Sequence, residues 1–458
     1  MKTLLIFLLL IVTFQGSSQI NGKWHTAFTV AGSSHRVDLE ITGIGRDANV
    51  LISFPDIPQM KTMELEDYSV FKDSIYFKWD KIGLLYQGHY FAKGDSIHGV
   101  MQQNGLEWNA TFQRGEQAKK TVARPQEPQA PFDYDIQEIT IKNGENTIGA
   151  TLTLPRTKTA FPIVVLASGS GPQNRDCELM GHKPFWIIAD FLTKNGMGVL
   201  RFDDRGTGKS TGNFAKTDLN GFASDVETCF DYLHKRFKKH PIGLCGHSEG
   251  GMHTLIVAAR NKKVDFLIQL AAVGTNGKDV LVEQQYLIPL KSGNDEKAAR
   301  ANSLIYDSLT TMLQTSPKDQ YSKNVNDFVK RNFELLPEEV KNKASASEIA
   351  ASYIAFLDND WARQFIVFQA PEYLHQIKCP ILVLNGSEDI QVPPFKNQES
   401  FKRNISSVSK PHSLVKIIPG VNHLFQTCKK CTVLEYGELE ETFSVAALQE
   451  IVHWLKQF

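Results

Sequence analysis

Five residues, Gly246-His247-Ser248-Glu249-Gly250, with Gly251 behind them, restrict the folds open to this chain more than any other segment. They follow a short apolar run, Ile242-Gly243-Leu244-Cys245, and open a stretch of helical character from Met252 to Ala259. A serine with a glycine two positions to either side fits a strand-to-helix turn. There the backbone passes too closely for Cβ atoms, and the hydroxyl stands clear of both elements. Such a turn needs a buried strand before it and a helix packed on the same sheet after it. The pattern alone also arises by chance, so its surroundings must decide.

The surroundings from about Asp133 onward agree. Ile136–Ile141 and Ile148–Leu154 read as an opening hairpin. Continuous apolar runs follow at Ile163–Leu166, Gly198–Phe202, Phe266–Leu270 and Ile381–Leu384. Runs of this kind, without polar alternation, mark parallel strands buried on both faces. Between Gly221 and Lys238, Phe222, Val226, Phe230, Leu233 and Phe237 recur at helical spacing. Alternating strands and helices predict an α/β domain, a doubly wound and mostly parallel sheet, over residues 133–458. The segment between Leu270 and Pro380, about a hundred residues, is far too long for an ordinary connection. Its charged, helical pattern predicts a cap over 275–375, inserted above the sheet.

The N-terminal part obeys a different grammar. Residues 20–115 show short alternating strands, such as Arg36–Ile41, Ser74–Trp79 and Trp108–Phe112, broken by turn residues. That spacing predicts a small antiparallel β-barrel or sandwich, and nothing in it gathers into a reactive set. Residues 116–132, polar and proline-bearing, read as a linker. At the start, Lys2, an apolar run from Leu4 to Val12 and the small residues Gly16-Ser17-Ser18 read as a signal peptide over 1–18, cleaved before Gln19. The expected protein is exported, periplasmic or secreted, with no membrane span. Basic and acidic residues balance at 50 each, so no nucleic-acid partner is expected. Six cysteines are too few for a disulfide scaffold in so long a chain. Cys245 and Cys379 adjoin predicted strands and are expected to be inert core thiols. Cys428-Lys429-Lys430-Cys431 lacks a second pair to complete a metal site, which leaves a local disulfide or two free thiols.

A serine hydroxyl is a weak nucleophile and needs a base, which in turn needs an orienting acid. Asp389 follows the run Ile381–Leu384, with Glu388 as its neighbour and competitor. His423 follows Leu414–Ile418, which reads as the last strand. The order Ser248, Asp389, His423 is that of nucleophile, acid and base on this kind of sheet. His247 reads as a packing residue of the turn. The negative oxygen of a tetrahedral intermediate requires N–H donors. Those of Glu249 and Ser170 are expected to serve, with Gly171 as the near alternative on the loop Ala167–Pro172. Arg205 and Asp203 read as loop-shaping residues, while Asn174, Arg175 and Asp176 are candidates for shaping an acyl pocket.

Three segments together carry a resemblance: Ser168-Gly169-Ser170-Gly171-Pro172-Gln173-Asn174-Arg175-Asp176, Phe202-Asp203-Asp204-Arg205-Gly206-Thr207-Gly208-Lys209-Ser210, and the Ser248 turn with Glu249-Gly250-Gly251. With Asn422-His423-Leu424-Phe425-Gln426 and Glu441-Thr442, they resemble the EstD-like bacterial carboxylesterases of the α/β-hydrolase superfamily over roughly residues 135–458. The resemblance implies a carboxylesterase acting on small, short-chain acyl esters without a cofactor. Ser168 stands where the wider superfamily often has His. The N-terminal part resembles the lipocalin-like β-domains attached to exported serine hydrolases. Two other expectations stand beside the esterase. One is a serine peptidase of the aminopeptidase or prolyl type with the same triad, and the other is a carbohydrate- or lipid-binding role for the β-domain.

Overall fold

The structure, a computed structural model, describes residues 20–458 apart from 31–32, 44, 56–61, 80–83, 104–105, 116–121, 158, 337–340 and 342–343. The expected signal peptide therefore lies outside the described residues. The chain divides into two compact units, with the break at the end of the β-rich part. Among the described residues no helix is long and apolar enough to cross a membrane.

The first unit contains β1 (Gly22–Val30), β2 (Ser33–Thr42), β3 (Asn49–Ser53), β4 (Met63–Glu64), β5 (Asp67–Phe71), β6 (Ser74–Trp79), β7 (Leu84–Phe91), β8 (Ser96–Gln103) and β9 (Leu106–Arg114). All belong to one curled antiparallel sheet in the order β4-β3-β2-β1-β9-β8-β7-β6-β5. It is a half-barrel, and the expected alternative of a two-sheet sandwich does not occur among the described residues. The alternation read from the sequence is that of a sheet wetted on one face. Trp24, Leu39, Val50, Phe77, Tyr86 and Phe112 point to the inner face and are buried there. The Tyr86 hydroxyl in this core is satisfied, its one hydrogen lying within reach of the Ile97 and Ala110 carbonyls.

The second unit contains β10 (Asp135–Asn143), β11 (Asn146–Leu154), β12 (Ile163–Ala167), β13 (Gly198–Phe202), β14 (Ile242–His247), β15 (Leu267–Leu270), β16 (Ile381–Gly386) and β17 (Leu414–Ile418). The sheet order is β10-β11-β13-β12-β14-β15-β16-β17, antiparallel at the β10–β11 and β11–β13 pairings and parallel from β13 onward. Helix α1 (Pro184–Lys194) and the C-terminal helix Val445–Leu455 share one buried core with Val164, Leu166, Val199, Ile268 and Leu382 on one face of the sheet. Helices α2 (Leu219–Arg236) and α3 (Glu249–Arg260) pack together and against the central strands. Both faces are thus covered, which explains the unbroken apolar runs.

Between β15 and β16, where a cap over 275–375 is expected, lie the helices Gly277–Lys291, Glu296–Thr315, Tyr321–Asn332, Ala346–Leu357, Asp360–Val367 and Ala370–Leu374. The linker expectation needs correcting for residues 122–132. Arg124 donates to the carbonyls of Leu439, Gly437 and Gly181. Gln126 accepts from the amides of Thr442 and Phe443 and donates to the Phe443 carbonyl. These side chains pair with open backbone groups of the second unit, so composition alone misread the segment as free.

Candidate active site

The strand β14 ends at His247, and α3 begins at Glu249, which leaves Ser248 alone on the turn. Its backbone is held at φ 56° and ψ −122°. A side chain at such a φ is rare and costs energy, so the surroundings must fix it. A Cβ at Gly246 would lie 2.3 Å from the Gly250 carbonyl oxygen, and one at Gly250 would lie 2.3 Å from that of Ala167. Both glycines of the motif are thus demanded by contact distance. The Ser248 amide is spent on the Leu270 carbonyl at 2.9 Å, which ties the turn to β15.

The loop after β16 delivers Asp389. Its Oδ1 accepts from the amides of Gln391 and Val392, each at 2.8 Å, which leaves Oδ2 for one further partner. That partner is Nδ1 of His423, 2.8 Å away. The opposite ring nitrogen, Nε2, stands 3.0 Å from Ser248 Oγ. Glu388, the competing carboxylate, accepts from Ser387 Oγ instead. Asn422 shapes the loop that holds His423: its Oδ1 accepts from the amides of Leu424 and Gln426. The structure therefore brings together Ser248, Asp389 and His423, all at the C-terminal ends of parallel strands. That is where open α/β sheets place their ligand crevices.

His247 does more than pack. It is buried, and burial, followed by the neighbouring His423, pushes its pKa down to about 3. As a neutral imidazole its Nε2 donates to the His423 backbone carbonyl at 3.0 Å. Glu249, 4% exposed, also makes a contact the sequence did not disclose. Its Oε1 accepts from Trp361 Nε1 at 2.7 Å, and His253 Nε2 lies 3.4 Å from the same oxygen. Burial alone would raise this carboxyl, but the nearby His253 and the hydrogen bond from Trp361 hold it below the usual range. Trp361 belongs to the cap helix Asp360–Val367. A second cap residue, Gln284, donates to the Gln391 carbonyl beside the acid loop at 2.7 Å. The cap thus reaches both the nucleophile turn and the acid loop.

On the oxyanion side, Gly169 lies against the nucleophile: a Cβ there would be 3.1 Å from that of Ser248. Ser170 follows it in the chain, and Glu249 is the first residue of α3, directly after Ser248. The candidates for an acyl pocket have other partners. Arg175 binds Asp203 and Glu138, and Asp176 pairs with Arg201. Asn174 caps the amides of Asp176 and Glu178. Arg205 holds Asp225 and the Gly221 carbonyl. Each of these side chains is thus engaged by a partner within the second unit. Cys428 and Cys431 form a disulfide, Cys177, Cys229 and Cys245 are buried and free, and Cys379 is half-buried.

Residues 185–427 match the family model described as serine aminopeptidase, S33. This chain belongs to that family of α/β-hydrolases. Among curated relatives, esterase EstD of Thermotoga maritima is 24% identical over 344 residues, 74% of this chain and 72% of EstD. An uncharacterized 31.7 kDa protein of Escherichia coli, from the traX-finO intergenic region, is 21% identical over 318 residues, 68% of this chain and 96% of its own length. Among solved structures, the proline iminopeptidase of Mycobacterium smegmatis is 18% identical with a TM-score of 0.43, covering 70% of this chain and 98% of that one. The dienelactone hydrolase of Anabaena variabilis is 15% identical with a TM-score of 0.40, covering 71% and 99%. Family membership agrees with the strand order and with the serine on its strained turn. It extends neither to the β-unit nor to the choice of substrate.

Proposed function

We propose that this family member is an exported serine carboxylesterase that cleaves short-chain acyl esters through an acyl-enzyme on Ser248. The observation that carries the reading is the unbroken line Asp389–His423–Ser248, with contacts of 2.8 and 3.0 Å. Ser248 Oγ attacks the ester carbonyl carbon as His423 Nε2 takes its proton, and Asp389 stabilises the resulting imidazolium. The carbonyl oxygen becomes an oxyanion facing the N–H groups of Glu249 and Ser170. Collapse breaks the C–O bond to the alcohol, which leaves with the proton from His423. A water then repeats the sequence and releases the acid. Ser248→Ala is expected to abolish turnover of p-nitrophenyl acetate and butyrate while the melting temperature stays unchanged. Undiminished turnover in that variant overturns the assignment.

The family description favours a second reading, a serine peptidase of aminopeptidase or prolyl type on the same three residues. Amino-acid p-nitroanilides assayed beside the esters separate the two: a peptidase cleaves the amides with comparable kcat/KM. Export is supported by the apolar run behind Lys2 and by the Cys428–Cys431 disulfide, since disulfides persist mainly in oxidising compartments. N-terminal sequencing of the protein from its native cells is expected to begin at Gln19.

A further inference from the structure

Asp204, just beyond β13, takes no part in the chemistry above, yet its carboxylate is buried at 7% exposure under the loop that follows β12. Ser168 Oγ donates to its Oδ1 at 2.9 Å, and the Gln173 amide donates to its Oδ2 at 2.9 Å. In return the Asp204 amide donates to the Gln173 carbonyl at 3.0 Å. One side chain therefore grips both ends of the segment 168–173, with Ser170 between the two anchor points.

We infer that Asp204 is a positioning residue that sets the oxyanion loop against Ser248. The inference rests on the proposed hydrolytic reading. The loop has little room to move without displacing the nucleophile. A Cβ at Gly169 would lie 3.1 Å from that of Ser248 and 3.3 Å from the His247 carbonyl oxygen. One at Gly250 would lie 2.4 Å from the Ser168 carbonyl oxygen. Ser168 therefore sits between Asp204 and the Ser248 turn, and its hydroxyl transmits the position of one to the other. An N–H donor for an oxyanion is useful only when it is already in place as the charge develops.

A carboxylate is a costly choice for this task. Burial, with Asp225 of α2 and Glu249 of α3 adding repulsion, pushes Asp204 up to about 7, and the Cys177 thiol beside it offers no counter-charge. A group whose pKa is raised on folding stabilises the fold below its unfolded value, and that contribution is lost as the pH rises through the folded value. At slightly alkaline pH the ionised Asp204 weakens the fold while accepting two charge-assisted hydrogen bonds. An asparagine there would be neutral, would accept only one of them, and would mimic the protonated form. Such a trade of stability for geometry marks a functional position.

The test measures p-nitrophenyl butyrate hydrolysis and thermal melting of the full chain as wild type, Asp204→Asn, Ser168→Ala and the double variant. Asp204→Asn is expected to lower kcat about 10- to 100-fold, less than or equal to the loss of an oxyanion donor, with KM little changed. At pH 8 it melts at or above the wild-type temperature, and at pH 4 the two coincide. Ser168→Ala lowers kcat less, and the double variant is no slower than Asp204→Asn alone. Wild-type kcat in Asp204→Asn at pH 8 overturns the inference, as does a loss of activity matched by equal destabilisation at both pH values. Should Asp204→Asn fail to fold, unchanged kcat in Ser168→Ala overturns it. An inactive wild type would instead defeat the esterase reading, so the two failures are distinct.

Discussion

His247 Nε2 lies 3.0 Å from the backbone carbonyl oxygen of His423, so the residue before the nucleophile holds the loop that carries the base. The two imidazole rings lie 5.0 Å apart between centroids. Because His247 stays neutral well below working pH, it contributes a fixed donor and no titration. His247→Leu leaves the His423 carbonyl unpaired in a buried place and frees the loop. A displacement of even 1 Å in such a site costs up to about 100-fold in rate. We expect kcat to fall about 10- to 100-fold with little change in KM. His247→Gln, which keeps an N–H donor, is expected to recover part of it; steady-state kinetics of the two variants decide.

Asp389 bonds His423 through one oxygen and two backbone amides through the other. Asp389→Asn keeps the shape but favours the wrong imidazole tautomer, a change worth about four orders of magnitude in kcat for comparable triads. Glu388→Gln, one residue away and bonded to Ser387, is expected to stay within twofold of wild type. If the two variants were equally impaired, the acid would have been misassigned.

Much of this was legible in the chain because buried parallel strands write themselves as bare apolar runs; Ser248 and Asp389 each follow such a run, while His423 follows the edge strand β17 with its exposed Lys416. Ser248, Asp389 and His423 needed only their order and their loops. Trp361 and Asp204 were not legible, because each acts across a large gap in sequence. Trp361 meets Glu249 from 112 positions away, and Asp204 meets Ser168 from 36. No local period signals such pairings; only packing of the cap and of the β13 loop creates them. The stretch 122–132 failed for the opposite reason. Its polar side chains look solvated in sequence but bond the open backbone groups of Gly437, Thr442 and Phe443.

The Trp361–Glu249 hydrogen bond is a latch between the cap and the nucleophile helix. Glu249 is held below the usual carboxylate range, so its contribution to stability is present above the unfolded pKa and lost as the pH falls through the folded one. Trp361→Phe removes a hydrogen bond to a charged group, worth about 1.5–3 kcal/mol. The loss is expected at pH 7 and should shrink in acid. Hydrogen exchange should quicken over residues 360–367 more than over α2. Equal exchange in both segments would mean that the latch does not hold the cap.

Glu435, buried beside the disulfide, accepts from the amides of Lys429, Lys430 and Cys431. Burial alone would raise its pKa, but these three backbone donors outweigh it and lower the carboxyl. The bridge closes a loop with a sequence separation of only 3, so it removes little chain entropy. The carboxylate is therefore expected to hold the loop more firmly than the disulfide does. Cys428→Ser with Cys431→Ser should leave ester turnover within twofold and lower the melting temperature only slightly. Glu435→Gln keeps the volume but loses the charge that three amides share, so it should destabilise more at pH 7. Because the pKa is depressed on folding, that difference is present above the ordinary carboxylate range and vanishes as the pH falls through the folded value. Melting curves from pH 3 to pH 8 measure it. A larger loss in the cysteine variant than in Glu435→Gln at pH 7 would reverse the assignment of which bond secures this loop.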